Sequence, residues 1–192
     1  MRGLYEKFGH GKIYDLLAGL PLMLWFGYGV VKLRPNLVQD ARDLLASPGN
    51  LLFGLRFFAL FASALFNLLL IYLVVVRTPP IRRSRGIAPR LAALAGTYLG
   101  VGILYLGPVA LSLAWQGAAA CLVFAGSLGS AIVLARLGRA FAIMPEARLL
   151  VTKGPYAYAR HPLYAMEFAT LLGTVIQFRE PWAALLALGV VG

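Results

Sequence analysis

Side chains able to do chemistry concentrate in one short stretch, GPYAYARHPLYAMEF, at residues 154–168. It holds three tyrosines, one of the two histidines of the chain, an arginine and a glutamate, and long apolar segments flank it. Proline has no N–H to leave unsatisfied in the first turn of a helix, so we expect a helix to begin at Pro162 with His161 near its N-cap. The dipeptide Gly154-Pro155 upstream predicts a turn.

The chemistry that this helix start favours is the binding of a charged small molecule. Free N–H groups and the positive end of the helix dipole bind carboxylates and phosphates. If the helix extends back to Arg160, then Arg160, Tyr164 and Glu167 fall on one face. A glutamate inside an apolar helix needs a partner or a polar cavity, and Arg160 is a nearby cation. The stretch therefore predicts a polar pocket at one membrane face.

Each of these residues also has a purely structural interpretation. Arg160 can anchor at lipid phosphates, and His161 can act only as an N-cap. The three tyrosines Tyr156, Tyr158 and Tyr164 can form an interfacial aromatic belt. The combination with an intramembrane glutamate favours the pocket over these separate interpretations.

The composition places the chain among membrane proteins. Its 192 residues are 60% hydrophobic and 13% charged, with a mean hydropathy of +0.79; soluble domains are nearer half apolar and a quarter charged. The net charge is +11, but the cations lie in clusters between apolar segments, which predicts membrane topology and no nucleic-acid partner. A single cysteine, Cys121, excludes an intrachain disulfide and a multi-cysteine metal site, and we expect no metal.

The apolar segments predict one helical membrane domain over residues 1–192. Because a bilayer requires ~20 apolar residues per helix, we expect an all-α integral membrane protein with about five complete transmembrane helices and an incomplete sixth. The polar notch Trp115-Gln116-Gly117 is expected to divide the third apolar stretch, residues 91–137, into a hairpin of two helices. The predicted spans are 14–33, 57–76, two within 91–137, 162–178 and the incomplete 182–192.

Orientation follows from the positions of lysine and arginine. Five arginines lie in the loop 77–90, and further cations lie before the first span and between residues 136 and 160. Since cytoplasmic loops are rich in lysine and arginine, we expect a cytoplasmic N-terminus and a site facing the cytoplasm. The Ala-, Leu- and Arg-rich composition favours a bacterial inner membrane, although an endoplasmic reticulum membrane would give the same topology. Within the spans, Asn67 is expected to form an interhelical hydrogen bond, and Arg56 to reach the nearby membrane surface.

The segment LVTKGPYAYARHPLYAMEF also resembles a family signature. It is similar to the pattern L-V-T-x-G-P-Y-x-x-x-R-H-P-x-Y of the isoprenylcysteine carboxyl methyltransferase and phospholipid methyltransferase superfamily, integral-membrane enzymes that use S-adenosylmethionine. The specific resemblance covers residues 136–168. The matching residues are Leu150, Val151, Thr152, Gly154, Pro155, Tyr156, Arg160, His161, Pro162 and Tyr164.

This resemblance implies an S-adenosylmethionine-dependent methyltransferase with its cofactor motif in residues 148–168. It implies a lipid-like or isoprenylcysteine-type acceptor that enters from the bilayer. We expect Arg160 and Glu167 to be the catalytic residues. From the chemistry of methyl transfer, Glu167 would be either a base or a partner of the sulfonium. The residues implied at the cofactor are Arg160, His161, Pro162 and Tyr164 lining the site, with Gly154 and Tyr156 shaping the loop over it. No Gly-rich dinucleotide fingerprint is present, so a different mode of cofactor binding is expected.

Two alternatives stay open. Membrane sterol reductases bear a similar R-H-P-x-Y-x-x-E element, which Glu167 would complete, and they use NADPH. A non-catalytic small membrane protein of the same fold is the other. Members of the methyltransferase family continue past their last span into a Glu-rich segment that completes the cofactor site. Residues 182–192 are too few to cross a bilayer, so we expect the chain to be either a fragment or a minimal member.

Overall fold

The structure, a computed structural model, describes residues 2–78, 82–83, 109–141, 146–147 and 152–178. The described chain is helical, which confirms the coarse prediction of an all-α fold, and it adds one antiparallel pair of two-residue strands. The helices are α1 (Arg2–Ala46), α2 (Leu51–Val76), α3 (Leu113–Leu137) and α4 (Pro162–Val175). The strands are β1 (Arg82–Arg83) and β2 (Glu146–Ala147).

Two of the described helical segments are long and apolar enough to cross a membrane. They are Leu51–Val76 and Leu113–Ala140, and only 33% and 44% of their most apolar windows are buried inside the protein. Most of that apolar surface faces outward, as lipid-contacting helices require. The predicted spans 57–76 and the second half of 91–137 lie in these segments. The helix predicted before residue 109 and the segment 182–192 lie outside the described residues.

Helices that are adjacent in sequence pack together: α1 against α2, α2 against α3, and α3 against α4. The main apolar cluster joins all four helices near the end of α2. Its buried members are Leu70, Leu73, Val74, Leu134 and Phe141, with partly buried neighbours that include Met23 and Phe26 from α1 and Leu163 from α4. Phe141 of this cluster and its partly buried neighbours Leu137 and Leu163 also line the cavity described below.

Helix α2 starts six residues before its predicted span. Asn50 caps it, since its side chain accepts a hydrogen bond of 3.0 Å from the N–H of Leu52. Helix α1 in turn extends well past its predicted span, to Ala46. The two extensions bring Arg56 within 2.9 Å of the Asp40 carboxylate, whose side chain is 3% exposed. Arg56 thus forms an ion pair rather than only reaching for the membrane surface.

The Asp40–Arg56 pair predicts a pH-dependent stability. Burial raises the pKa of the Asp40 carboxyl above its ordinary 3.8, although the Arg56 guanidinium opposes the shift. The folded chain therefore keeps a proton that the unfolded chain has lost, and stability falls as the pH rises from the ordinary pKa through the raised one. Replacing Arg56 with methionine removes the opposing charge. We expect a destabilisation of about 1–3 kcal/mol at pH 7 that disappears near pH 4.

Thermal unfolding in detergent at pH 4 to 7 checks this expectation. The matched control is Arg42→Met, which removes an exposed cation from the same part of α1 and is expected to leave the midpoint unchanged at every pH. An equal loss for Arg56→Met at pH 4 and pH 7 would contradict the role of the buried carboxylate.

The predicted helix hairpin at residues 115–117 is wrong in position. Helix α3 begins at Leu113, so these residues lie in its first turns, and the non-helical residues 109–112 precede it. The side-chain amide of Gln116 donates a 2.8 Å hydrogen bond to the carbonyl of Leu111. Gln116, the polar residue that indicates a break in the sequence, thus provides a hydrogen-bond donor for a backbone carbonyl just before the helix.

The expected interhelical hydrogen bond is made by serines rather than by Asn67. The Asn67 amide donates to the carbonyl of Ser63 in its own helix, at 3.0 Å. The Ser63 and Ser127 hydroxyls lie 3.0 Å apart and connect α2 to α3. In an apolar surrounding a hydroxyl needs a partner, and a short side chain allows the helices to approach closely.

Candidate active site at the start of helix α4

The segment that leads into α4 is a turn followed by a short 3-10 helix. Gly154 has φ 67°, a left-handed conformation that favours glycine, and it begins the 3-10 helix Gly154–Ala157 with Pro155 behind it. A Cβ on Gly154 would lie 3.9 Å from the Arg136 side chain at the end of α3, so this turn passes next to α3. The turn thus directs the chain from the surface of α3 towards the start of α4.

The predicted start of α4 is confirmed. Helix α4 begins at Pro162, and His161 occupies the N-cap position with non-helical backbone angles, φ −132° and ψ 62°. The residue before a proline is biased towards extended backbone, which ends the preceding turn at this point. The His161 side chain makes no capping hydrogen bond. Its imidazole is therefore available to the space in front of the helix.

A cavity of about 150 Å³ lies between the end of α3 and the start of α4. One wall is apolar and the other carries aromatic side chains with polar atoms. Its lining residues are Leu137, Phe141, Tyr156, His161, Leu163 and Tyr164. Three residues that the sequence implied at the cofactor, Tyr156, His161 and Tyr164, thus meet at one cavity.

His161 and Tyr164 are stacked at the cavity. Their ring centroids are 5.3 Å apart with an interplanar angle of 15°. The stack forms because residues three apart lie on the same side of the first helical turn. Tyr164 is 66% exposed, so one face of its ring is available to a ligand.

Tyr156 reaches the cavity from the 3-10 helix. Burial raises the pKa of the Tyr156 hydroxyl, and the charge of Glu167 and the neighbouring Tyr164 raise it further. Tyr156 is therefore neutral at physiological pH and presents a hydroxyl and an uncharged ring. Glu167, which lies three residues after Tyr164 in α4, is exposed and is not among the residues that line the cavity.

The remaining predicted residues are not part of the cavity lining. Pro162 is buried at the first helical position, and Gly154 lies at the turn. Arg160 is exposed and precedes α4 by two residues, so the helical relation that would place it on one face with Tyr164 and Glu167 does not hold. Within the part of the chain that the structure describes, Arg160 and Glu167 form no ion pair. Leu150 and Val151 of the motif lie outside the described residues.

Sequence reasoning missed the apolar wall formed by Leu137, Phe141 and Leu163. These side chains carry no chemical signal, because leucine and phenylalanine are expected everywhere in a membrane helix. The four-residue spacing of Leu137 and Phe141 gives no signal either, because the chain leaves the helix at Gly138 between them. The structure places both side chains in the cavity lining beside the start of α4.

Two long apolar helices and an aromatic cavity at the start of α4 are typical of a membrane protein. Residues 118–191, which include most of α3, the cavity lining and α4, match the sequence model of the Isoprenylcysteine carboxyl methyltransferase (ICMT) family. This match covers less than half of the chain and confirms the resemblance to a membrane methyltransferase family that the motif predicts. No curated protein and no solved structure matches the chain at a significant level.

Proposed function

We propose that this chain is an S-adenosylmethionine-dependent membrane methyltransferase that acts on a lipid-like or isoprenylcysteine-type acceptor. The observation that carries the proposal is the cavity at the start of α4, where Tyr156, His161 and Tyr164 converge. The family match of residues 118–191 supports methyl transfer as the reaction class.

The donor set of the cavity fits the cofactor. When bound, S-adenosylmethionine supplies a methyl group activated by a positively charged sulfur. The rings of Tyr156 and Tyr164 suit such a cation. The free N–H groups in the first turn of α4 suit the carboxylate of its methionine moiety, and the exposed Arg160 beside them adds a positive charge. The cavity volume of about 150 Å³ is below the ~300–1,000 Å³ of most ligand sites, so the described residues would hold part of the cofactor.

The apolar wall of the cavity would contribute to the methyl transfer by excluding water. A methyl transfer depends on alignment of the acceptor atom with the methyl group and on exclusion of water, which would otherwise solvate the acceptor. Leu137, Phe141 and Leu163 keep one side of the cavity dry. A carboxylate acceptor needs no base, whereas an amine must first lose a proton. Glu167 is the proposed base in the second case and the proposed partner of the sulfonium in the first.

The proposed orientation places the cavity at the cytoplasmic face of a bacterial inner membrane. S-adenosylmethionine is polar and would reach the site from water. The apolar outer surfaces of α2 and α3 lie in the bilayer, from which a lipophilic acceptor would enter. The cations Arg136, Arg139, Lys153 and Arg160 are exposed at the cavity end, as the rule for cytoplasmic loops requires.

Titration of the detergent-solubilised chain with S-adenosylmethionine by calorimetry tests the proposal. We expect saturable binding that weakens in Arg160→Ala by about fivefold or more, since the side chain contributes one charge next to the cofactor carboxylate. NADPH is titrated in parallel. The matched control is Arg34→Ala, which removes an exposed cation from α1.

The outcomes separate the competing functions. Binding of NADPH in place of S-adenosylmethionine would favour a reductase related to the sterol enzymes. A chain that binds neither, also when extended beyond Gly192, would contradict the methyltransferase and favour a non-catalytic membrane protein.

A further inference from the structure

The ends of α2 and α3 are joined by a group of hydrogen bonds that the cavity lining does not include. The N–H of Thr78 donates to the carbonyl of Arg139 at 3.0 Å, and the Thr78 hydroxyl donates to the same oxygen at 3.1 Å. In return, Arg139 Nε donates to the carbonyl of Val76 at 3.2 Å. We call Val76, Thr78 and Arg139 with these three bonds the clasp.

The clasp satisfies backbone groups that helix ends leave without partners. The last carbonyls of a helix have no N–H of their own, and an arginine side chain can cap them. Val76 is the last residue of α2, and its carbonyl accepts from Arg139. The carbonyl of Arg139 lies in the 3-10 turn after α3 and accepts twice from Thr78. Each helix end therefore supplies the missing partner of the other.

Arg139 of the clasp precedes Phe141, a residue of the apolar cavity wall, by two positions. After α3 the chain turns at Gly138, which has φ 53° in the left-handed region, and the N–H of Phe141 closes the turn on the Gly138 carbonyl at 3.1 Å. Phe141 is 4% exposed, belongs to the same buried cluster as Leu73 and Val74 of α2, and lines the cavity. Because glycine has few conformational restrictions, Gly138 alone does not determine the direction in which the chain continues. The hydrogen bonds of the clasp to α2 therefore determine the position of the Phe141 ring.

We infer that Arg139 and Thr78 are positioning residues of the cofactor cavity, holding the turn on which Phe141 forms the wall facing Tyr156 and His161. The inference rests on the proposed function. It assigns Arg139 a role beyond that of a cytoplasmic cation, because the bond to Val76 uses the geometry of the guanidinium and not only its charge.

Two pairs of variants test the inference. Thr78→Val removes the hydroxyl and keeps the shape, and Thr78→Ser restores it. Arg139→Met removes the donor and keeps the stem, and Arg139→Lys restores a charged donor.

We expect Thr78→Val and Arg139→Met to raise the Kd and the KM for S-adenosylmethionine by about three- to tenfold, the effect of one lost hydrogen bond. Because Phe141 belongs to the wall that keeps water out of the transfer, we expect kcat to fall as well in these two variants and to stay at the parent value in Thr78→Ser. Thr78→Ser should bind as the parent chain does.

Hydrogen–deuterium exchange without cofactor provides the second measurement. In Thr78→Val the amides of residues 138–141 should exchange at least about threefold faster than in the parent chain and in Thr78→Ser, because the turn loses an anchor. Unchanged exchange would overturn the clasp whether or not the parent chain binds S-adenosylmethionine. Faster exchange with unchanged cofactor Kd would overturn the positioning role. A parent chain that binds no cofactor would overturn the proposed function, and with it this role, while exchange still reports on the clasp.

Discussion

Replacing Tyr164 with alanine is expected to weaken S-adenosylmethionine binding by at least about tenfold. The ring lines the cavity, is stacked on His161 at 5.3 Å and keeps an exposed face towards the ligand. Its loss removes an aromatic face for a cation, worth roughly 0.5–2 kcal/mol, and releases the imidazole from its stack. Together these effects reach the ~1.4 kcal/mol of a tenfold change in affinity. Calorimetric titration measures it directly.

A comparison with S-adenosylhomocysteine makes the test specific for the sulfonium. This product has a neutral sulfur, so Tyr164→Ala should weaken its binding less than that of S-adenosylmethionine. The control is Tyr158→Ala, which removes a tyrosine of the same motif that is 95% exposed and outside the cavity lining. It should leave both affinities unchanged. Equal losses for Tyr158→Ala and Tyr164→Ala would mean that the cavity is not the cofactor site.

The part of this site that is local in sequence could be predicted. Pro162 specifies where α4 begins, because proline fixes its own φ angle and restricts the backbone of the preceding residue, His161. Once the helix start is known, His161 and Tyr164 must meet, since three residues make nearly one turn. The turn at Gly154 follows in the same way from glycine and proline chemistry. These inferences need no knowledge of any other helix.

The part that depends on other helices could not be predicted. Leu137 and Phe141 become a cavity wall only because α3 ends next to α4, and their side chains resemble those of every other apolar position. The predicted topology puts Arg56 near a membrane face and pairs it with no acidic residue, and only the continuation of α1 to Ala46 makes Asp40 its neighbour. Gln116 suggested a break because polarity alone does not tell a turn from a helix start.

The close contact between α3 and α4 likewise could not be predicted from the sequence. Glycine pairs in apolar helices are common, and the sequence does not show which of them face another helix. In the structure, Gly126 of α3 lies against the backbone of α4, and Gly173 of α4 lies against that of α3. A Cβ on Gly173 would lie 2.8 Å from the carbonyl oxygen of Ala119. Small residues permit this close approach, which in membranes replaces the hydrophobic effect as the source of helix association.

Gly126→Ala is therefore expected to destabilise the protein by about 3 kcal/mol and to weaken cofactor binding as well. The added methyl group would lie 2.5 Å from the amide nitrogen of Thr170 and 2.7 Å from the carbonyl oxygen of Met166. Both are backbone atoms, so no side-chain rotation relieves the clash and α4 must move away from α3. The cavity has one wall on each of these helices, so their separation changes its shape. Thermal unfolding in detergent and titration with S-adenosylmethionine measure the two effects.

Gly117→Ala is the matched control in the same helix. A Cβ at Gly117 would meet no atom within 4 Å, and alanine favours the helix over glycine by roughly 0.5–1 kcal/mol. This variant should be as stable as the parent chain or slightly more stable, with unchanged cofactor affinity. If Gly126→Ala behaved like Gly117→Ala, α3 and α4 would not be in backbone contact at this position. If it unfolded early but bound S-adenosylmethionine normally at low temperature, the α3–α4 contact would stabilise the protein without determining the shape of the cavity.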